Sequence, residues 1–319
     1  MSRSTGRSER SRRDEHGAVA VMVAMLMVPL IGFAALAVDV SSLWSQRQQL
    51  QTGADAAALA IASDCLRGSC GTPAQTASEF SAANLRHGPS TATITNRTST
   101  EVTVSNSAVR SFVFAPVLGF SSGSVSAGAT AKWGNPTGGV PVLPVLLNYC
   151  EYSYQTGGGL PTGTTSRPVL MSRTSVSSCT TSGFTGNYQP GGFAWSKVNH
   201  TNCVTPNGIG VEVGVANTTS PSSNGCTTEY VASLQDRTVL LPVFRSGRGD
   251  KNNAWVTIFG YAPFRLTGYS FGSGYSWNAP CDSTDRCMQG YFVRITKPDA
   301  SFTYGSGPVL GGGYVTLAR

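Results

Sequence analysis

From Ala18 to Val38 the chain runs for 21 residues without a charge, AVAVMVAMLMVPLIGFAALAV. As a helix rising 1.5 Å per residue it reaches roughly 30 Å, about the thickness of one bilayer core. Pro29 kinks such a helix, which membrane spans tolerate. Arg3, Arg7, Arg10, Arg12 and Arg13 precede the run, and Arg47 is the only basic residue between Val38 and Arg67. The positive-inside rule therefore predicts a cytoplasmic basic segment (1–17), a single-pass transmembrane helix (18–38) and residues 39–319 outside, with the lipid bilayer as first partner.

Other uses of an apolar run leave different flanks. A cleaved secretory signal has an A-x-A site available at Ala35-Leu36-Ala37, but the run exceeds the usual 7–15 or so residues of such a signal and no helix break precedes the site. A twin-arginine signal at Ser11-Arg12-Arg13 is followed by Asp14-Glu15-His16, where apolar residues belong. A prepilin-type leader cut after Gly17 makes Ala18 the new N-terminus; Met22 then stands at the fifth mature position, where glutamate is usual. Length and flanks favour the uncleaved anchor.

The run does not hand over to a polar linker. Past Asp39, Leu43, Leu50, Ala54, Ala57 and Ile61 recur at helical spacing, with Arg47 filling one step, and Ala56, Ala58, Ala60 and Ala62 surround them. Two readings follow. The helix packs on its own domain, or it continues the membrane helix as a rod whose small-residue face packs against sister helices. Gly53 costs about 1 kcal/mol relative to alanine within a helix and marks a bend or a close approach. Asp39 marks the outer membrane boundary. Asp39 and Asp55 are expected to be solvated carboxylates, pairing with a neighbour's basic residue being the alternative.

Only 12% of the residues are charged, against roughly 25% in an average soluble domain, and Gly, Ser, Thr and Asn supply the polarity. That favours strands and turns, and the spread of charge leaves no footprint for nucleic acid. Cys65, Cys70, Cys150, Cys179, Cys203, Cys226, Cys281 and Cys287 all follow the apolar run, and in an exported chain eight cysteines read as disulfides. Eight allow 105 pairings; local pairing, 65–70, 150–179, 203–226 and 281–287, is the expectation. Zinc is disfavoured, since no CxxC occurs and His200 is the only histidine beyond His87.

Pro73–Arg86 reads as a second helix stopped by Gly88-Pro89. Thr91–Thr95 and Glu101–Ser105 read as a hairpin, with Ser111–Phe114 and Ser124–Lys132 as further strands. Gly134–Gly139 reads as a boundary. Beyond it, short strands are predicted at Val140–Leu147, Val211–Val215, Thr238–Phe244, Trp255–Ala262, Tyr291–Thr296 and Tyr314–Leu317. The expected fold class is α+β: a long transmembrane-plus-amphipathic helix with a small antiparallel, pilin-like sheet (39–134), then a disulfide-stabilised, mostly-β extracytoplasmic domain (135–319). Trp195, Trp255, Trp277, Phe244, Phe259, Phe264 and Tyr269 are expected in its core, a sugar-binding face being the alternative.

Catalytic patterns are weak. Gly268–Gly272 matches G-x-S-x-G around Ser270, but a glycine- and serine-rich stretch follows where a helix should start, and no histidine follows. Cys281–Cys287 encloses Asp282 and Asp285, too few oxygens for calcium, and reads as a disulfide-closed loop. No nucleotide-binding motif occurs. The sequons at Asn96, Asn199 and Asn217 matter only in a eukaryotic secretory pathway. No catalytic residue, cofactor, metal or small-molecule substrate is expected.

Arg13-Asp14-Glu15-His16-Gly17-Ala18-Val19-Ala20, the apolar run, Val38-Asp39-Val40, Arg47-Gln48-Gln49-Leu50-Gln51 and Ala54-Asp55-Ala56-Ala57-Ala58-Leu59-Ala60 together resemble the N-terminal module of TadE/TadG-like proteins of bacterial tight-adherence (Flp pilus) systems. The resemblance covers about residues 12–64 and extends to Ser111–Gly119 and Ser126–Ala131. It implies a non-enzymatic, single-pass envelope protein with a pilin-like N-terminus, acting as a structural component of a pilus assembly or secretion system beside other Tad/Flp subunits. A membrane-tethered adhesin or glycan-binding module with no pilus role is the alternative.

Overall fold

One helix, α1 (Glu9–Leu66), carries the apolar run and continues 28 residues beyond Val38 without interruption, Pro29 included. The computed structural model describes residues 9–172, 179–185, 188, 190–197, 203, 207–216, 221–251, 253–272, 274–282, 284–295 and 297–318. These group into two units. The first lies within Met1–Ala58, Thr72–Asn96 and Thr103–Thr130; the second lies within Leu59–Gly71, Arg97–Val102 and Ala131–Arg319.

The first unit contains most of α1, helix α2 (Pro73–Asn84), strand β1 (Thr91–Arg97) and most of β2 (Glu101–Ser111), with the start of β3 (Ser122–Gly139). Proline at the first turn of α2 lacks only a donor the helix cannot use there. The inward positions of β2 alternate, so Val104, Asn106 and Ala108 are buried while their neighbours are not. Leu50 of α1 packs with Leu85, Ala108 and Ala127, Val125 lying at the edge. The facing side chains are mostly alanine, which lets helix and strands approach closely.

The second unit is mostly β. It holds β4 (Val145–Asn148), α3 (Tyr149–Thr156), β5 (Arg167–Leu170), β6 (Ser182–Phe184), β7 (Phe193–Trp195), β8 (Asn207–Gly208), β9 (Glu212–Gly214), α4 (Thr228–Ala232), β10 (Thr238–Gly249), β11 (Trp255–Gly272), β12 (Tyr275–Trp277), β13 (Cys287–Phe292), β14 (Phe302–Gly305) and β15 (Tyr314–Ala318). The main sheet runs β5-β13-β11-β10-β4-β7. Its centre is the antiparallel pair β10–β11, from Thr238 opposite Arg265 to Arg248 opposite Trp255, with the register broken by an irregularity around Phe244. Both faces are covered. Val239, Leu241 and Val243 join Trp195, Phe264 and Phe271 in one core, while Leu240 and Phe244 join Tyr261 and Phe302 in another. A strand buried on both sides needs apolar residues at consecutive positions, which Val239–Phe244 supplies around Pro242.

The mixed α+β architecture, with its long apolar N-terminal helix and mostly-β remainder, is as anticipated; several boundaries are not. The Gly134–Gly139 stretch is strand, not linker: it is the end of β3, paired with β14. Glycine serves close approach there, since a Cβ at Gly139 would run into the Phe302 ring. Of Val140–Leu147 only the end is strand, because Pro141 and Pro144 cannot donate to a ladder. The strand expected at Tyr291–Thr296 starts earlier, at Cys287, where Cys287–Gly290 pair with Leu170–Arg167 of β5; Thr296 lies outside the described residues. Both α3 and α4 were missed. Their signals are side-chain caps: Asn148 accepts the Cys150 N–H at 2.9 Å, and Thr227 accepts that of Tyr230 at 3.1 Å.

Four disulfides join Cys65–Cys70, Cys150–Cys179, Cys203–Cys226 and Cys281–Cys287. Cys203 and Cys226 lie inside the core beside Tyr275, whose hydroxyl donates to the Cys226 carbonyl.

Candidate functional site

Asp39 stands where the apolar run of α1 ends, and both its oxygens are engaged. Oδ1 accepts the Val113 N–H at 2.9 Å; Oδ2 accepts those of Phe114 at 2.9 Å and Ala115 at 2.7 Å. The expectation of a solvated carboxylate is therefore corrected: Asp39 is 4% exposed. Its cover is a single turn of loop, not a deep core. The Val113 N–H does most to hold its carboxyl below the ordinary value of 3.8; partial burial works the other way, and the Ala115 and Phe114 N–H groups and the Arg110 guanidinium add to the lowering.

The same contact explains why β2 stops at Ser111 and no strand forms at Ser111–Phe114. Three consecutive N–H groups that turn toward one carboxylate cannot alternate between strand neighbours. Pro116 has no N–H, and a 3₁₀ turn follows over Ala115–Leu118, ended by Gly119 at φ 92°. The Phe112 N–H donates to Ser121, Val117 to Phe114, Gly119 to Pro116 and Phe120 to Ala115. The loop is thus satisfied from within while its side chains face outward. Val113, Phe114, Val117 and Phe120 are 68, 44, 89 and 66% exposed. Phe114 and Val117 line one groove of about 480 Å³ with Val28, Ile31, Phe33 and Leu36 of α1.

On the other side of Asp39 the surface is polar. Gln46 is buried, and among the described residues its amide meets no hydrogen-bond partner. Together with Arg110, His87, Ser42 and Ser45 it lines a cavity of about 50 Å³.

Of the two readings of the helical seam, the one in which it packs on its own domain is observed. Leu50, Ala54, Ala57 and Ile61 are buried within the chain, and Leu43 is half-buried. The reading in which these side chains meet sister helices is corrected: they are covered by their own fold. Gly53 sits where a Cβ would come within 3.1 Å of Asn106 Nδ2, 3.3 Å of Asn84 Cβ and 3.3 Å of the Phe80 carbonyl, so it marks close approach of α2 and β2. Asn106 Nδ2 also donates to the Leu50 carbonyl at 3.2 Å. Asp55 accepts from Gln51 Nε2 at 2.8 Å, one turn earlier on the same helix, so it too has a partner within the chain. Gly17 lies within α1.

The second unit's candidates divide similarly. Trp195, Phe244, Phe264 and Tyr269 are buried, and Phe259, Trp255 and Trp277 half-buried, so most of the set packs the interior. Ser270 lies within β11, opposite Ser276 and Cys287, where a nucleophile elbow needs a strand-to-helix turn. Asp285 accepts from Ser172 Oγ at 2.6 Å and from the Arg286 N–H at 2.7 Å inside the disulfide-closed loop. His200, Asn199 and Asn217 lie outside the described residues.

Residues 17–64 match the family model described as putative Flp pilus-assembly TadE/G-like. The match covers the N-terminal module: the apolar run, Asp39 and the alanine-rich part of α1. Comparison with curated proteins and with solved structures found no match.

Proposed function

We propose that this chain is a membrane-anchored structural component of a Flp/Tad-type pilus assembly or secretion system. Residues 1–17 lie in the cytoplasm, residues 18–38 of α1 cross the membrane, and residues 39–319 lie outside. The observation that carries this reading is a coincidence of position. The family match over 17–64 spans a helix long and apolar enough to cross a bilayer, together with the polar junction at its end. From Val19 to Val38 the large apolar side chains are 37–75% exposed, which water does not favour and lipid does.

The role is structural and not catalytic. Supporting this, the one serine-nucleophile motif forms the end of strand β11, which leads into the antiparallel strand β12 and not into a helix, and the family match is to an assembly module. With the seam of α1 occupied by its own fold, assembly partners meet other surfaces: the apolar segment within the membrane and the exterior of the β-rich unit.

The test is recovery of partners. The full chain with an affinity tag is crosslinked in cells, extracted in detergent and isolated. The proposal expects other pilus-assembly subunits to co-isolate, and loss of the gene to abolish pili. Isolation of the chain alone, with pili unaffected by its loss, would favour a tethered adhesin.

A further inference from the structure

We infer that residues 112–120 form a membrane-inserted wedge that dips into the outer leaflet beside α1, held at the interface by Asp39. The inference rests on reading α1 as a membrane span and adds to it a second point of insertion.

Position along the helix carries the argument. The groove shared by Phe114 and Val117 is lined by α1 from Val28 to Leu36. Those residues lie between roughly 5 and 16 Å from Asp39 along the axis, on the side of the apolar run. If Asp39 sits at the boundary, the loop tip lies at the depth of the acyl chains. Its chemistry fits that depth. No charged residue occurs between Arg110 and Lys132. Val117 is 89% exposed and Phe120 66%, an unfavourable arrangement for large apolar side chains in water.

The backbone meets a necessary condition. Non-helical chain with unmet polar groups is excluded from hydrocarbon, so a loop that dips toward it must satisfy its donors within the chain. Every N–H from Phe112 to Val117 donates within the chain, three of them to Asp39, and so do those of Gly119 and Phe120. Ionisable groups gather at the loop's base: Asp39 and Arg110, with His87 near Arg110. That is the level where a bilayer meets water, and long basic side chains reach out of it there.

The competing occupant of the apolar tip is a second copy of the chain. Three variants of the full chain, each with one added free cysteine beside its four disulfides, separate the cases: Val117→Cys at the loop tip, Ile31→Cys in the span and Thr52→Cys on the exposed side of α1. Each is labelled with bimane and reconstituted in phospholipid nanodiscs, with or without acyl-chain nitroxide lipids. The expected result is a blue-shifted emission at Val117, quenched by the nitroxide lipids as at Ile31, while Thr52 responds only to a water-soluble quencher. Water-exposed emission at Val117 with lipid-exposed emission at Ile31 overturns the wedge and leaves the span standing. Water-exposed emission at Ile31 overturns both. A Val117 label shielded from both quenchers, with the unlabelled variant forming disulfide-linked dimers, also overturns the wedge and gives its surface to a second copy.

Discussion

At the residue scale the molecule turns on Asp39. A side chain with two acceptor oxygens meets three consecutive donors, and the loop that supplies them loses the option of being a strand. Asp39→Ala leaves those donors without an acceptor. Hydrogen exchange at Val113, Phe114 and Ala115 is expected to accelerate strongly in this variant while exchange in β10 stays unchanged; equal rates in variant and parent would remove Asp39 from the role. The pH dependence has a definite sign. The folded-state pKa is depressed, so the contribution of the carboxylate is complete above its ordinary value of 3.8 and is lost as pH falls through the lower folded value. Protection of the three amides should therefore hold through neutral pH and disappear only in acid below about pH 4. Gly53 makes the opposite kind of prediction. Helix propensity alone favours replacement by alanine by about 1 kcal/mol and by most other residues by less, but α2 and Asn106 leave no room. Gly53→Val is expected to destabilise the fold by about 1–3 kcal/mol in chemical denaturation; a gain in stability would mean that α2 does not approach as described.

At the scale of elements, α1 was legible and its use was not. The uncharged run and the recurrence of Leu50, Ala54, Ala57 and Ile61 specify a long helix with one small-residue face. Periodicity cannot say whether that face meets another chain or its own strands. The strands opposite supply alanine at Ala108 and Ala127, and nothing in a local window of α1 reveals that. Leu50→Ala should cost about 2–5 kcal/mol, measured by denaturation of the full chain, because the cavity lies between rigid elements. A loss well under 1 kcal/mol would restore the reading in which the seam faces outward. In the β-rich unit β4, β9, β10, β11, β13 and β15 were read near their places, β5, β6, β7, β8, β12 and β14 were missed because they are short, and β10 and β11 run longer than their apolar cores suggest. Glycines at Gly134–Gly139 looked like punctuation and proved to be points of close approach, a distinction that depends on partners far away in sequence. The local pairing of the cysteines matches the simplest expectation, although spacing alone does not determine it, and the burial of Cys203 and Cys226 was not foreseen. Replacing both by serine is expected to cost about 2–5 kcal/mol. Full retention of the parent midpoint would show that this crosslink contributes nothing.

At the scale of the whole molecule, an apolar helix matched by a pilus-assembly family model is joined to a disulfide-bonded, mostly-β unit. The candidate site was half legible. Asp39 could be singled out as a boundary, but its partners lie more than seventy residues away, and only the resemblance extending to Ser111–Gly119 drew attention to their segment. The proposed orientation governs everything else: cytoplasmic basic residues, Asp39 at the outer surface, and cysteines where they can oxidise. The most direct measurement is a pair of reporters fused after Arg319 in bacterial cells, one an alkaline phosphatase that works only outside the cytoplasm and one a fluorescent protein that folds only inside it. The account predicts an active phosphatase, a dark fluorescent fusion, and loss of phosphatase activity when residues 18–38 are deleted. A fluorescent fusion with an inactive phosphatase would contradict it.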